Sequence, residues 1–133
     1  MTDAVQVTTI HNSPKRVVVH CTNVSDGTGE SAIKKLDKST YTGPDGTAVG
    51  RFSIQEVRCN IQTTNGGYVK LDYDHTTDDE ICVLSGTDYI DFRPYGGMVD
   101  PDTTGGTGDV VVTTGSFAAG DTYDLTIHAL KKD

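Results

Sequence analysis

The chain has 133 residues, 35% of them hydrophobic, with 15 glycines, no tryptophan and a formal net charge of −8. This length supports one domain with one core, and the acidic balance argues against a nucleic-acid surface, which needs clustered Lys and Arg. No apolar run of about 18 residues is present, so no transmembrane helix is expected. The first residues show no basic segment followed by an apolar one, and we expect no secretory signal.

The first periodic segment, Ala4–Ile10, alternates weakly between apolar and polar residues. It predicts either a short edge strand or an extended arm, and Asn12-Ser13-Pro14 ends it. We therefore divide the chain into an N-terminal arm or edge strand, residues 1–14, and a single β-sandwich domain, residues 15–133.

Further apolar segments separated by Gly-, Asp- and Thr-rich turns predict strands along the rest of the chain. Ser31–Asp37 fits either one helical turn or a strand, and its context favours the strand. Lys15–Val24 is a strong strand, with Val17, Val19 and Cys21 on one face and Val18 and His20 on the other. The remaining short strands are predicted at Ile81–Leu84, Tyr89–Phe92, Asp109–Thr114 and Thr122–Leu130, the last with Tyr123, Leu125, Ile127 and Ala129 on one face.

The clearest pattern lies in Arg51–Asp74. Its second half alternates, which predicts a half-buried strand; the core side is Val69, Leu71 and Tyr73, and the water side is Lys70, Asp72 and Asp74. Between the two halves, Asn65-Gly66 is a pair favoured in two-residue turns that need positive φ. We predict one long antiparallel hairpin.

The first half of this segment changes phase. Phe52 and Ile54 share one face of a strand, whereas Val57, Cys59 and Ile61 share the other. Such a change predicts a β-bulge near Gln55–Glu56, or an edge strand with both faces partly covered.

About eight strands with turn-rich connections, no amphipathic helix and no internal repeat predict an all-β fold. A lone sheet would leave an apolar face in water, so we expect an antiparallel two-sheet sandwich or a jelly-roll-like arrangement.

No motif indicates catalysis or a resident metal. The chain lacks a G-x-S-x-G elbow, and the glycine-rich residues 104–108 lack the Lys and helix of a phosphate loop. Asp100–Gly105 resembles the start of an EF-hand loop, but Val111 stands where a bidentate Glu is needed. We expect no enzyme activity, no cofactor and no metal site, with a loop calcium site as the alternative.

Three cysteines, Cys21, Cys59 and Cys82, lie in predicted strands. Because no secretory signal is expected, we expect buried free thiols. A disulfide between Cys21 and Cys59 is the alternative if their strands face each other.

Four segments carry a resemblance to a known group: Arg16–Glu30 (RVVVHCTNVSDGTGE), Val69–Asp74 (VKLDYD), Asp91–Gly97 (DFRPYGG) and Thr104–Thr113 (TGGTGDVVVT). Together the chain resembles the small β-sandwich virion proteins of tailed bacteriophages from aquatic hosts, in particular those of the head decoration or cement type. The resemblance implies a structural protein, made in the host cytoplasm and located in the virion. It would bind the assembled head and bridge capsid subunits. The alternative is a tail- or fibre-associated sandwich that binds a carbohydrate or receptor, with or without calcium.

The partners implied are the major capsid protein or another virion protein, and further copies of the chain; neither nucleic acid nor a membrane is expected. We place the interface in the arm, residues 2–14, and in the long loop Tyr95–Gly108. The expected contact residues are Val5, Val7, Ile10, Tyr95, Met98 and Val99. The plainer alternatives are a disordered terminus and a solvent-exposed connector.

Overall fold

The computed structural model describes residues 4–43, 46, 49–75, 79–99 and 106–132. These residues form two antiparallel sheets, so the predicted all-β two-sheet sandwich is confirmed. In these ranges the only helical segments are two 3₁₀ turns, Lys38–Thr40 and Arg93–Tyr95, and no helix could cross a bilayer. The described part of the chain contains nine strands rather than about eight: β1 Ala4–Asn12, β2 Arg16–Val24, β3 Ile33–Leu36, β4 Arg51–Gln62, β5 Tyr68–His75, β6 Asp79–Leu84, β7 Thr87–Asp91, β8 Gly106–Gly115 and β9 Thr122–Lys132.

The larger sheet has the order β1-β2-β9-β4-β7, and the smaller sheet has the order β3-β8-β5-β6. The ambiguous segment at Ser31–Asp37 does form a strand, β3, at the edge of the smaller sheet. Strand β8 begins at Gly106, inside the loop predicted for Tyr95–Gly108. The residues of that loop at 100–105 lie outside the described part of the chain.

The predicted hairpin between β4 and β5 is wrong. Strand β4 pairs with β7 and β9 in the larger sheet, whereas β5 pairs with β6 and β8 in the smaller one. The connection at residues 63–67 therefore crosses from one sheet to the other. Period-two alternation marks a strand with one buried face, and that face can meet a core from either sheet.

The connection explains why Asn-Gly-Gly was misleading. Gly66 has a positive φ of 67°, but Asn65 does not, so the two-residue turn that needs both is not formed. Gly67 is needed for space, because a Cβ there would lie 2.9 Å from the Gly115 carbonyl oxygen and 3.0 Å from that of Ser116. Asp121 Oδ1 accepts a hydrogen bond from the Thr64 backbone N–H at 3.3 Å.

The phase change in β4 is a bulge, as predicted. Ile54 lies opposite Ala129 and Glu56 lies opposite His128, so Gln55 is the extra residue. The side chains of Phe52 and Ile54 before the bulge, and of Val57 after it, are all buried. One strand thereby keeps its apolar residues on the core face through a change of phase.

The core lies between the sheets and contains the predicted apolar rows. The residues of three strands that were assigned to one face are all buried: Val17, Val19 and Cys21 in β2, Val69, Leu71 and Tyr73 in β5, and Tyr123, Leu125, Ile127 and Ala129 in β9. The predicted water-facing row of β5 is wrong at Asp72, which is 2% exposed. Lys70 Nζ lies 3.9 Å from Asp72 Oδ2, and this cation compensates the carboxylate.

Candidate interaction surfaces

Strand β1 forms an open edge of the larger sheet. Its nine residues, AVQVTTIHN, include no Asp, Glu, Lys or Arg. The other three edge strands have four to six residues and carry charges, namely Lys34 in β3, Asp79 and Glu80 in β6, and Asp88 and Asp91 in β7. Short length and charge protect an edge against pairing with another chain, and β1 has neither protection.

Val5 and Val7 of β1 lie on the inner side of the sandwich but are only partly covered there. Val5 lies opposite Asn23, and Val7 lies opposite Cys21. Both partners on β2 are buried, yet Val5 is 41% and Val7 is 43% exposed. Strand β3, the edge of the smaller sheet, packs against β2, and β1 extends beyond it.

Ile10 occupies a bulge in this edge. Thr9 lies opposite Val19 and His11 lies opposite Val18, so Ile10 is the extra residue. Its side chain is 60% exposed. The residues predicted in the arm therefore share one strand, with Val5 and Val7 on one face and Ile10 in the irregular part.

The second predicted surface lies at the opposite end of the same sheet. A 3₁₀ turn over Arg93–Tyr95 follows β7, and Tyr95 is 83% exposed. Val99 is also exposed. Met98 differs, because its backbone N–H and C=O both pair with Ile54 and its side chain packs half-buried against the core. Tyr95 and Val99 are thus the accessible members of the predicted loop set.

Charged groups fix the turn that presents Tyr95. The Arg93 guanidinium donates to both oxygens of Asp91 at 2.9 Å and lies 2.8 Å from Glu56 Oε1. These contacts lower the pKa of Asp91 and raise the pKa of Arg93. Beside them, the Arg58 guanidinium lies 4.5 Å from the centre of the Tyr89 ring. Tyrosine and arginine are enriched in protein interfaces, and no sequence pattern singled out Tyr89 or Arg93.

The two predicted surfaces are not brought together. One lies on β1 and the other follows β7, and these two strands are separated by four strand spacings, or about 19 Å. One molecule therefore presents two separate exposed edges rather than a single combined site.

A cavity of about 440 Å³ lies between the β1–β2 connection and the segment after β3. Its polar lining includes Asn12, Ser13, Thr40, Thr42 and Lys131. The Lys131 ammonium donates to Asn12 Oδ1 at 2.5 Å and to the Thr42 carbonyl oxygen at 3.0 Å. Burial lowers the pKa of Lys131, because the charged form loses hydration.

A buried ionic cluster, defined by Asn23, Glu30, Lys35 and Tyr123, lies at the inner face of β2 and β9. Lys35 Nζ lies 2.7 Å from Glu30 Oε2, and these side chains are 0% and 3% exposed. Glu30 Oε1 accepts hydrogen bonds from Asn23 Nδ2 at 2.6 Å and from the Tyr123 hydroxyl at 2.5 Å. Burial and the Glu30 contact raise the pKa of Tyr123. The cluster was not predicted, because Glu30 comes from a segment that reads as a turn.

The cysteines are free thiols, as expected. Cys21 and Cys59 both lie opposite Leu125, on either side of β9, so their strands are about 10 Å apart. A disulfide needs Cα atoms within about 7 Å, which excludes that alternative. Burial raises the pKa of Cys21 and of Cys82 to about 12.

Among the residues that the structure describes, no three His, Cys, Asp or Glu side chains are grouped to hold a metal ion. The EF-hand-like residues at 100–105 lie outside that part of the chain. No protein-family model, curated protein or solved structure matches the chain.

Proposed function

We propose that this chain is a structural protein of a tailed-bacteriophage virion, a decoration or cement protein that binds the assembled head and bridges capsid subunits. The resemblance of four segments to that group supports the proposal. Its activity would be binding without turnover, and its partner would be the major capsid protein or another virion protein.

The presence of two separated exposed surfaces in one domain carries this proposal. A cement protein has to contact more than one neighbour, and a single site would not connect two subunits. Here the β1 edge and the exposed turn around Tyr95, which follows β7, belong to opposite edges of the larger sheet. We assign the capsid contact to Tyr95 and Val99, since exposed aromatic side chains held by a fixed turn are effective anchors.

The test is co-sedimentation with emptied shells of the phage that encodes the chain. We expect the wild-type protein to bind in a fixed ratio to the capsid protein. The double variant Tyr95→Ala, Val99→Asp should bind shells at least about tenfold more weakly than the wild-type protein, because both anchors are lost. A matched control is Val83→Asp, since the exposure of Val83, 54%, lies between those of Val99 and Tyr95 but Val83 is on β6.

Failure of the wild-type protein to bind shells would overturn the capsid assignment. Mass spectrometry of purified virions adds an independent measurement. Hundreds of copies per particle would agree with the head, whereas a handful would place the protein at a fibre or tail tip.

A second candidate is a carbohydrate- or receptor-binding sandwich of the tail or fibre, and the cavity beside Lys131 favours it. Its volume falls in the range of small-ligand sites, and its hydroxyl, amide and ammonium groups suit sugar hydroxyls or an acidic sugar. Host polysaccharide should then raise the melting temperature of the wild-type protein but not of Thr40→Arg, which would fill the cavity. A further rise with calcium would indicate calcium assistance. An unchanged melting temperature with every polysaccharide tested contradicts this candidate.

A further inference from the structure

The β1 edge has the features of a strand that pairs with another strand. Among the described residues, β1 pairs with β2 alone, so alternate backbone N–H and C=O groups of this edge strand point away from the sheet. On the inner face, Val5 and Val7 remain exposed although their partners on β2 are buried. Hydrogen-bonding groups and apolar side chains are thus available along the same short segment.

Charge indicates which chain can occupy this edge. With a net charge of −8, two copies repel each other over most of their surfaces. Strand β1 is free of charged residues, so two copies can meet there without placing like charges opposite each other. Self-pairing of β6 or β7 would instead bring acidic residues together, and self-pairing of β3 would bring lysines together.

The order of residues in β1 suits a strand that pairs with itself. A two-fold axis through Val7 would place Val7 opposite its own copy. It would also place Val5 opposite Thr9, and Gln6 opposite Thr8. The inner-face pairs are then formed only by β-branched residues, which are favourable cross-strand neighbours. The bulge at Ile10 interrupts the regular strand directly after Thr9 and limits the pairing to this segment.

We propose that two copies of this chain form a symmetric dimer by antiparallel pairing of β1 with β1, centred on Val7. The two larger sheets would join into one continuous ten-stranded sheet, with order β7-β4-β9-β2-β1 in each half. The dimer follows from the properties of β1 alone and does not depend on the proposed capsid function. In this dimer the turns carrying Tyr95 would lie at the two outer ends.

Cysteine crosslinking tests the position of the two-fold axis. In Val7→Cys, the two new thiols would lie directly opposite each other, with Cα atoms about 4.5–5.5 Å apart, within reach of a disulfide. Mild oxidation should convert most of the protein to a covalent dimer. The matched control is Gln6→Cys, whose copies would be displaced by two residues and about 8 Å apart, too far for a disulfide. Wild-type protein reports any crosslinking through Cys82, the half-buried native thiol.

A charge variant tests the same contact without new thiols. Val7→Lys should reduce the mass measured by light scattering to that of a monomer while the circular dichroism spectrum stays unchanged, because Val7 lies outside the core. A charged substitution on another edge, Val83→Lys in β6, should leave the dimer intact.

Three results would overturn the dimer: a monomeric wild-type protein at every concentration, a dimer that persists in Val7→Lys, or crosslinking of Gln6→Cys as fast as Val7→Cys. Shell binding by the monomeric variant reports separately on the proposed capsid function. A protein that binds shells but never dimerises contradicts only the proposed dimer.

Discussion

The buried ionic cluster and the β1 edge differ in which side chains are buried: charged ones in the cluster are enclosed, whereas aliphatic ones on β1 are exposed. In the cluster, Lys35 and Glu30 are buried and pair at 2.7 Å inside the sandwich. On β1, Val5 and Val7 lie on the same inner side of the larger sheet but remain more than 40% exposed. Charged groups are therefore buried in the fold, whereas aliphatic groups a short distance away remain partly exposed. Asn23 of the cluster lies directly opposite Val5.

The difference shows that coverage by the smaller sheet, rather than residue type, decides what is buried at this end of the molecule. Strand β3 supplies Lys35 and ends the smaller sheet opposite β2. Residues beneath it are enclosed whatever their polarity, and those on β1 beyond it stay accessible. The enclosed charges must be paired because an isolated buried ion is costly, whereas the accessible valines are available to the second copy in the proposed dimer.

The largest expected effect comes from breaking the ion pair. Lys35→Met leaves the Glu30 carboxylate buried without its cation and should lower the free energy of unfolding by about 3–5 kcal/mol. Urea denaturation followed by circular dichroism measures this loss. Lys15→Met is the control, because the Lys15 side chain is exposed and its loss should change the free energy of unfolding by less than about 0.5 kcal/mol.

The double variant Glu30→Gln, Lys35→Met sharpens the interpretation. Neutralising both partners removes the uncompensated charge, so the double variant should be more stable than Lys35→Met alone. If the double variant is as unstable as the single one, the ion pair is not the source of the loss.

Matched valines on the two strands give the next largest difference. Val19→Ala removes a fully buried side chain and should cost about 2–3 kcal/mol, as transfer and cavity effects add. Val7→Ala, on the same face of the adjacent strand, should change the stability of dilute protein by less than about 0.5 kcal/mol. Equal losses in the two variants would mean that β1 is covered as fully as β2.

At neutral pH the thiols give the smallest effect, because their contribution to stability changes only under alkaline conditions. Burial raises the pKa of the Cys21 and Cys82 thiols to about 12, against 9.0 for an ordinary thiol. As the pH rises, the unfolded chain therefore loses these protons before the folded protein does. Their stabilising contribution is complete below pH 9 and is lost as the pH rises toward 12, at up to about 1.4 kcal/mol per pH unit for each thiol. Tyr123 acts in the same direction above its ordinary value.

Denaturation at several alkaline pH values, repeated with Cys21→Val, checks this sign. The variant should show a shallower decline, because it has one thiol fewer to titrate. A decline of the same steepness would assign the pH dependence to other groups.

Sequence patterns predicted the strands well because the alternation of apolar and polar residues within a strand reflects which of its faces is buried. The alternation of Val69, Leu71 and Tyr73 and the change of phase around Gln55 follow from the side-chain geometry of one strand. Which sheet a strand joins is not recorded in this way. The pair Asn65-Gly66 therefore suggested a hairpin between two strands that the structure places in different sheets.

The candidate surfaces were only partly predictable for a related reason. The exposed residues Val5, Val7 and Tyr95 come from an arm and a loop that the sequence indicated directly. The cluster around Glu30 and Lys35, and the buried state of Asp72, depend on residues distant in sequence that meet only after folding. No local pattern predicts such partners, since polar residues in turn-rich segments are usually exposed.

The position of β9 at the centre of the larger sheet has a consequence for folding. Neither β2 nor β4 can complete its pairing until β9 is present. Arg16 in β2, for example, pairs with Leu130 in β9, 114 residues later in the sequence. Such non-local pairing makes folding slow, and it leaves β2 and β4 with unsatisfied edges during synthesis on the ribosome. The nascent chain therefore exposes several unpaired, aggregation-prone strands at once. A shortage of chaperones should lower the yield of folded protein without changing the stability of the molecules that do fold.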